Sequence, residues 1–503
     1  MKWLCRKGHG PLEEKEETIL TTGKHQTYDI GVIGGGPGGY VAAIYAAQKG
    51  KRVALVEKEN LGGTCVNKGC IPTKAFLAAA KLRHHLLKSD VFSFDQKGPE
   101  INVERLVRKK NAAVDLLSKG VESLIKKNRI DYYKGKAKFS DRKNIEIRDS
   151  QDHLQERIAA DAFIIATGST PGHLPEVVPD GKGIITSDQA INPSSIPKEL
   201  IIIGGGVIGI EFCSVFKNLG SKVTILEILP NILPTEDREI ANTLRRILEK
   251  NGTRIVTETR VKKVRSNGNK VIVETVGKIG GETSYEADKV LLAVGRAPYT
   301  EGLGLERLGI ELNKGFIRVN KRMETGVPGI YAIGDVIGGI MLAHAASEEG
   351  IVAVENITGG HLEVDYRKVP RCVYSIPEVG SIGLSEEEAV ANNVSFEVGR
   401  FPFLANGKAV VEGEPDGFIK ILADKQIGEI LGVHVLGENA TDLIGGGVVA
   451  MSLEATIEDI WASVQAHPTL FEAFKEATLD VKGKAIHVPP KSPRDSIPAA
   501  SRK

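Results

Sequence analysis

The chain of 503 residues holds five cysteines, too few and too scattered for a disulfide framework, so their spacing has to be read for redox or metal chemistry. It also lacks an excess of either charge: 66 Lys and Arg against 64 Asp and Glu leave a formal +2. A protein that replaces counterions on phosphate needs a basic face, so the balance argues against nucleic acid as a partner. Long apolar runs are missing too, and none reaches the roughly 18 residues of a membrane span. The best of them, Ile201 to Ile210, is broken by glycine and stopped by Glu211. The early basic residues are followed by no apolar region or small-residue cleavage site, so no secretory signal is read and a cytoplasmic location is expected. Cys5 and His9 could be half of a metal site, but two ligands do not make one, and no metal is expected.

What is present is ordinary in bulk and unusual in detail. Hydrophobic residues at 41% and charged residues at 26% exclude disorder, collagen and coiled coil for most of the chain. At roughly 150 residues per domain, the length predicts about three domains. Glycine is abundant, 56 residues, and the excess falls in short clusters.

Two of those clusters are copies of each other. Tyr28-Asp-Ile-Gly-Val-Ile-Gly34-Gly-Gly36-Pro-Gly-Gly39 leads through a helical stretch to Gly50 and then Arg52-Val-Ala-Leu-Val-Glu57. Leu200-Ile-Ile-Ile-Gly204-Gly-Gly206-Val-Ile-Gly209 leads to Gly220 and Lys222-Val-Thr-Ile-Leu-Glu227. Every matched position is separated by the same 170 residues, and each acid lies 23 residues beyond its first glycine. A lone GxGxxG is weak evidence; two copies, each after an apolar strand and each with its acid, predict two dinucleotide-binding folds. The first glycine permits the tight turn, the second lets backbone approach a pyrophosphate, and the third lets helix pack on strand. The helix N-terminus faces the phosphate charge. Glu57 and Glu227 would accept from a ribose 2′-hydroxyl and repel a 2′-phosphate. Strand-to-glycine segments follow each fold (Ala162 to Gly168, Val290 to Gly295), and Gly329 to Asp335 puts a carboxylate at a strand's C-terminal end, where open α/β sheets bind ligands. From Arg371 to His487 the alternating stretches, followed by helices, predict a separate α+β domain.

Between the first acid and a helix lies Gly62-Gly63-Thr64-Cys65-Val66-Asn67-Lys68-Gly69-Cys70-Ile71-Pro72-Thr73-Lys74. Two cysteines five positions apart on an ideal helix are separated by roughly 7.5 Å of rise. A disulfide needs Cα atoms within about 7 Å, so pairing requires a departure from regular helix, which Gly62, Gly63 and Gly69 permit. Pro72 fits a first helical turn and puts Cys70 at the positive end of that helix, where a thiolate is stabilised. For such a spacing by itself, two free thiols are the favoured reading, and a neighbouring dinucleotide fold shifts it toward redox exchange. Near the C-terminus, Pro468 disfavours helical backbone at His467, so the imidazole precedes the helix-like Ala473 to Asp480. Glu472 lies close enough to orient that ring, as a general base requires, although such a pair is more often structural.

Together these motifs resemble the flavoprotein pyridine nucleotide–disulfide oxidoreductase family from about Tyr28 to His487, most closely its dihydrolipoyl-oxidising members. The resemblance implies FAD in the first nucleotide fold and NAD in the second. It implies that Cys65 exchanges with substrate, that Cys70 lies next to the flavin, and that His467 and Glu472 act as base and orienting acid from the partner subunit of a homodimer. It further implies Lys74, paired with Glu211, near the flavin; Thr64, Ala137, Thr167, Gly168, Asp335 and Ala343 at the FAD site; and Glu211, Val261 and Gly295 on the NAD side. The implied division is an extension 1–27, an FAD domain 28–168, an NAD domain 169–298, a central segment 299–370 completing the FAD site, an interface domain 371–487 and a tail 488–503. Implied partners are the lipoyl domains and core subunits of 2-oxo acid dehydrogenase or glycine cleavage complexes. Val66, Thr73 and Phe471 depart from the family's common residues, and Phe471, beside the base, is expected to narrow the substrate channel. The alternatives are another FAD-dependent disulfide reductase on this scaffold, which Glu227 disfavours where NADPH is used, and a docking subunit with a vestigial site.

Overall fold

Seven strands form the first layer of the computed structural model, which describes residues 26–92, 98–175 and 177–490. Gln26–Ile33 and Val53–Glu57 pair in parallel around the helix Pro37–Gln48, and Asp131–Lys134 adds to the outer edge. The long strand Leu154–Ile165 has two roles. Its C-terminal half lies parallel to Gln26–Ile33 and to Ile330–Ala332, while its N-terminal half turns out to pair antiparallel with Asn144–Arg148. A strand from the 330s therefore completes the first nucleotide fold across a gap of more than 160 residues in sequence. The central strands are apolar at nearly every position because helices cover both faces of a parallel sheet, so Val53–Glu57 is buried throughout.

The second unit repeats the plan. Five parallel strands run in the order Arg254–Val256, Lys222–Leu226, Glu199–Ile203, Lys289–Leu292, Ile184–Ile185, with the helix Val207–Leu219 following the glycine loop. A three-stranded antiparallel meander, Thr259–Ser266, Val271–Gly277 and Glu282–Ala287, is inserted beside it. The third layer is an antiparallel sheet in the order Arg371–Val373, Glu378–Gly383, Ile430–Gly437, Phe418–Asp424, Phe396–Pro402, covered by the helices Ala440–Ser452 and Glu472–Val481. The architecture is thus two Rossmann-like α/β units and a C-terminal α+β unit. Among the described residues no helix is long and apolar enough to cross a membrane. Cys5, His9 and most of both terminal segments lie outside the described residues.

A buried ionic cluster ties the third layer to the second. Lys420, 1% exposed, meets Asp237 at 2.8 Å and Glu386 at 2.7 Å, and Arg400 meets Glu239 at 2.8 Å. Asp237 also caps the helix Arg238–Lys250 by accepting from Glu239 N–H. Burial opposes the ionisation of Asp237, yet the fields of His434 and Lys420 outweigh it and hold the carboxyl down to about 2. A cluster of this kind fixes the orientation of the two units more than it adds net stability, because each charge loses its water.

Candidate active site

The two glycine loops are built alike down to single atoms. Gly34 and Gly204 have φ of +109° and +110°, and a Cβ at either would lie 2.2 Å from a carbonyl oxygen, that of Ala166 or Ala293. A Cβ at Gly39 or Gly209 would lie 1.8 or 2.0 Å from the carbonyl oxygen of Gly34 or Gly204, so the third glycine is where helix and loop touch. The middle glycines are different. A Cβ at Gly36 would meet nothing nearer than Gly63 Cα at 3.8 Å, and one at Gly206 would meet nothing within 4 Å. That open space, at the N-termini of two helices, fits a pyrophosphate in each unit.

Each acid closes its own loop. Glu57 accepts from Gly35 N–H at 2.6 Å through Oε2 and from Glu59 N–H at 2.7 Å through Oε1. Glu227 accepts from Gly205 N–H at 2.5 Å and from Leu229 N–H at 2.7 Å in the same way. The 170-residue offset thus holds for hydrogen bonds as well as for residue types. Each carboxylate is buried and anchored by backbone, with lone pairs left for a ribose hydroxyl.

Other candidates fall around these loops. Asp335 follows the strand Ile330–Ala332; it accepts from Ser169 Oγ and lies 3.5 Å from Arg296 Nε. Thr167 donates to Tyr299 O at 2.6 Å and Gly168 O accepts from Tyr299 N–H at 2.9 Å, so this turn is tied to the chain that returns to the first sheet. Ala137 is buried in its strand, and Ala343 starts the helix Ala343–Ile357. On the other unit Gly295 accepts from Gly172 N–H at 2.8 Å and Val261 is half-buried in the first meander strand.

The cysteines sit where a helix breaks. Cys65 lies in the short helix Gly63–Asn67, alongside Thr64, and Cys70 is the first residue of Cys70–Lys88, with Gly69 between them at φ −123°, ψ −105°. Both are thiols here, and they are hydrogen-bonded to each other. The Cys65 hydrogen bond lowers Cys70 from the ordinary thiol value; burial opposes that, Lys74 reinforces it, and Cys70 settles at about 7. Cys65 moves strongly upward, first through the same hydrogen bond and then through burial. The direction is a thiolate favoured on Cys70 over Cys65.

Lys74 is no surface lysine. It holds both oxygens of Glu211, at 2.8 and 2.9 Å, and Glu211 is 6% exposed. Tyr374 completes this group: its N–H donates to Glu211 at 3.1 Å and its ring lies 4.1 Å from the Lys74 ammonium. The sequence gives no sign of Tyr374 or of Ser169, each brought in from more than 160 residues away, or of Arg296, which reaches both Ser169 and Asp335 from a separate segment.

His467 and Glu472 do meet. His467 Nδ1 is 2.9 Å from Glu472 Oε1, and Glu472 Oε2 accepts from Thr469 N–H at 2.8 Å. Burial raises Glu472, but the Thr469 N–H and the imidazole outweigh it and keep the carboxyl below its usual range. The His467 side chain is 78% exposed. Neither residue is hydrogen-bonded or ion-paired to Cys65 or Cys70 within the chain. Phe471 turns its ring onto Gly446 and Phe474 of its own unit.

Two nucleotide folds, a thiol pair set at a helix N-terminus and an imidazole–carboxylate pair define a dithiol oxidoreductase of the two-nucleotide type. The pyridine nucleotide-disulphide oxidoreductase model matches residues 28–350, and that family's dimerisation-domain model matches 369–478. The chain is 44% identical over 479 residues to a dihydrolipoyl dehydrogenase of Bacillus subtilis (strain 168), covering 92% of this chain and 99% of that one. It is also 44% identical over 467 residues to the mitochondrial dihydrolipoyl dehydrogenase 2 of Arabidopsis thaliana, covering 92% and 91%. The crystal structure of LpdA from Mycobacterium tuberculosis superposes with a TM-score of 0.83 at 28% identity, over 89% of this chain and 98% of that one. The chain belongs to the pyridine nucleotide-disulphide oxidoreductase family.

Proposed function

We propose that this protein oxidises dihydrolipoyl groups and reduces NAD⁺, through the Cys65–Cys70 pair and an FAD held by the first nucleotide fold. The observation that carries the reading is the thiol pair at the helix break, with Cys70 held acidic beside Lys74. In the oxidised pair, a substrate thiolate attacks Cys65 sulfur. The Cys65–Cys70 bond breaks, a mixed disulfide forms, and Cys70 leaves as the thiolate its surroundings favour. A lower pKa makes a better leaving group. The second substrate thiol then attacks the mixed disulfide, releasing the cyclic lipoyl disulfide and a Cys65 thiol. The substrate has given up two electrons and two protons. His467 takes a proton, oriented by Glu472.

An FAD held by the first nucleotide fold would supply the two-electron carrier between the thiols and NAD⁺. Gly34, Gly36, Gly39, Glu57 and Asp335 would hold the flavin nucleotide, and Gly204, Gly206, Gly209 and Glu227 the nicotinamide one. Because His467 is exposed and bonded to neither thiol of its own chain, the base is assigned to the second copy in a homodimer, which the match to the dimerisation-domain model supports. Residues 28–168, 169–298, 299–370 and 371–487 are assigned as FAD, NAD, central and interface domains. Lipoyl domains of 2-oxo acid dehydrogenase or glycine cleavage complexes are the partners this chemistry would serve, in the cytoplasm.

A steady-state comparison tests the assignment. Dihydrolipoamide with NAD⁺ should exceed glutathione disulfide with NADH or NADPH in kcat/KM by at least about a hundredfold, or roughly 2.7 kcal/mol. Preference for a non-lipoyl disulfide would overturn it in favour of another reductase on the same scaffold.

A further inference from the structure

The segment that carries the base is pinned at two points. Asn406, 4% exposed, donates to Thr469 O at 3.0 Å and so holds the middle of the loop. The second point is Phe471, the residue before Glu472 and the N-cap position of the helix Glu472–Val481. Its ring stacks on Phe474, with centroids 5.1 Å apart and planes 9° from parallel, and Phe474 is fully buried. The far edge of the ring occupies the space a side chain at Gly446 would need. A Cβ there would lie 2.3 Å from Phe471 Cε2 and 2.4 Å from Cζ. Gly446 lies inside the helix Ala440–Ser452, at ordinary negative φ, where glycine weakens the helix relative to alanine. No left-handed backbone asks for glycine at that position. The ring does.

We propose that Phe471 is a positioning residue for the His467–Glu472 pair and that Gly446 is its socket. Phe471 O accepts from Phe474 N–H at 2.9 Å, so the ring's seat and the first turn of the helix move together. Glu472 leaves that turn to reach both His467 Nδ1 and Thr469 N–H. Filling the socket displaces the ring from its seat between Gly446 and the fully buried Phe474, and the displacement passes to the carboxylate that orients the base. An error of about 1 Å in such a group can cost up to a hundredfold in rate.

The inference rests on His467 being the base, and the experiment separates the two. Flavin reduction is followed in full-length enzyme, by dihydrolipoamide in one arm and by NADH in the other. His467→Gln reports on the base: a loss confined to the dihydrolipoamide arm supports that reading, and no loss ends both it and the socket. Gly446→Ala should slow the dihydrolipoamide arm about tenfold, with the NADH arm unchanged. Phe471→Ser, which removes the ring, should cost less, about threefold in the same arm. The decisive variant is the double one. With no ring to displace, Gly446→Ala/Phe471→Ser should match Phe471→Ser alone, about threefold faster than Gly446→Ala instead of multiplying the two losses. If Gly446→Ala does not accumulate, the double variant must still match Phe471→Ser. Multiplying losses, equal losses in both arms, or wild-type rates in Gly446→Ala with His467→Gln impaired would overturn the proposal.

Discussion

Replacing Lys74 by Met removes the cation beside the Cys70 thiolate and leaves Glu211, 6% exposed, without its partner. Cys70 moves from 9.0 to about 7 through its hydrogen bond from Cys65 first and through Lys74 as the principal charge, against the opposing effects of burial and Glu211. That whole change is a hundredfold in acidity, on the order of 2.7 kcal/mol. In Lys74→Met the hydrogen bond survives, the attractive charge is lost, and the Glu211 carboxylate now repels the thiolate unopposed. The ionisation midpoint of Cys70 should rise by at least about one pH unit, leaving roughly a tenth of the thiol ionised at pH 7 instead of about half. The assay is the long-wavelength absorbance that a thiolate gives beside oxidised flavin, titrated with pH in the two-electron-reduced protein. Its midpoint should move from about 7 in the wild type to about 8 or above. Cys65→Ser should retain the band and Cys70→Ser should abolish it. Adding Glu211→Gln to Lys74→Met should bring the midpoint part of the way back, because the opposing charge is gone. An unchanged midpoint in Lys74→Met would refute the electrostatic account of the thiol pair.

The other predictions concern cofactor choice and the base. Glu227 is anchored by Gly205 and Leu229 N–H groups and cannot swing away from a 2′-phosphate, so NAD⁺ should exceed NADP⁺ by about a hundredfold in kcat/KM, a preference that Glu227→Ala reduces; similar efficiencies in the wild type would show that the acid does not read the ribose. His467→Gln should slow reduction by dihydrolipoamide at least about a hundredfold, since positioned bases contribute 10²–10⁴ in rate. Mixing His467→Gln with Cys65→Ser chains should restore activity, up to half the wild-type value per dimer, because one site then holds both intact groups. Verified mixed dimers that stay inactive would show that His467 does not serve the other copy.

Much of this was legible in the sequence because it is local or repeated. The glycine loops announce themselves through positions where a Cβ would strike a carbonyl oxygen, and Glu57 and Glu227 through their fixed distance from them. Pro72 marks the helix start that carries Cys70, and five residues separate His467 from the carboxylate it meets. What could not be read is long-range. Nothing near Asp335 foretells Ser169 or Arg296, and nothing near Lys74 foretells Tyr374, since each pairing is made by the folding of distant segments. The return of Ile330–Ala332 to the first sheet belongs to the same class. Phe471 could be seen as unusual, but its relation to Gly446 needed the packing of two helices.

Counting thiols tests the central claim most directly. The pure oxidised protein is denatured under acid, its free thiols are alkylated and counted, and the labelled positions are mapped by peptide mass; a second sample is first reduced anaerobically with one equivalent of dihydrolipoamide. The account predicts three thiols of the five cysteines before reduction and five after it, with Cys65 and Cys70 as the two gained. Five thiols in the protein as purified aerobically, or a gain that maps elsewhere, would contradict a redox exchange through this pair.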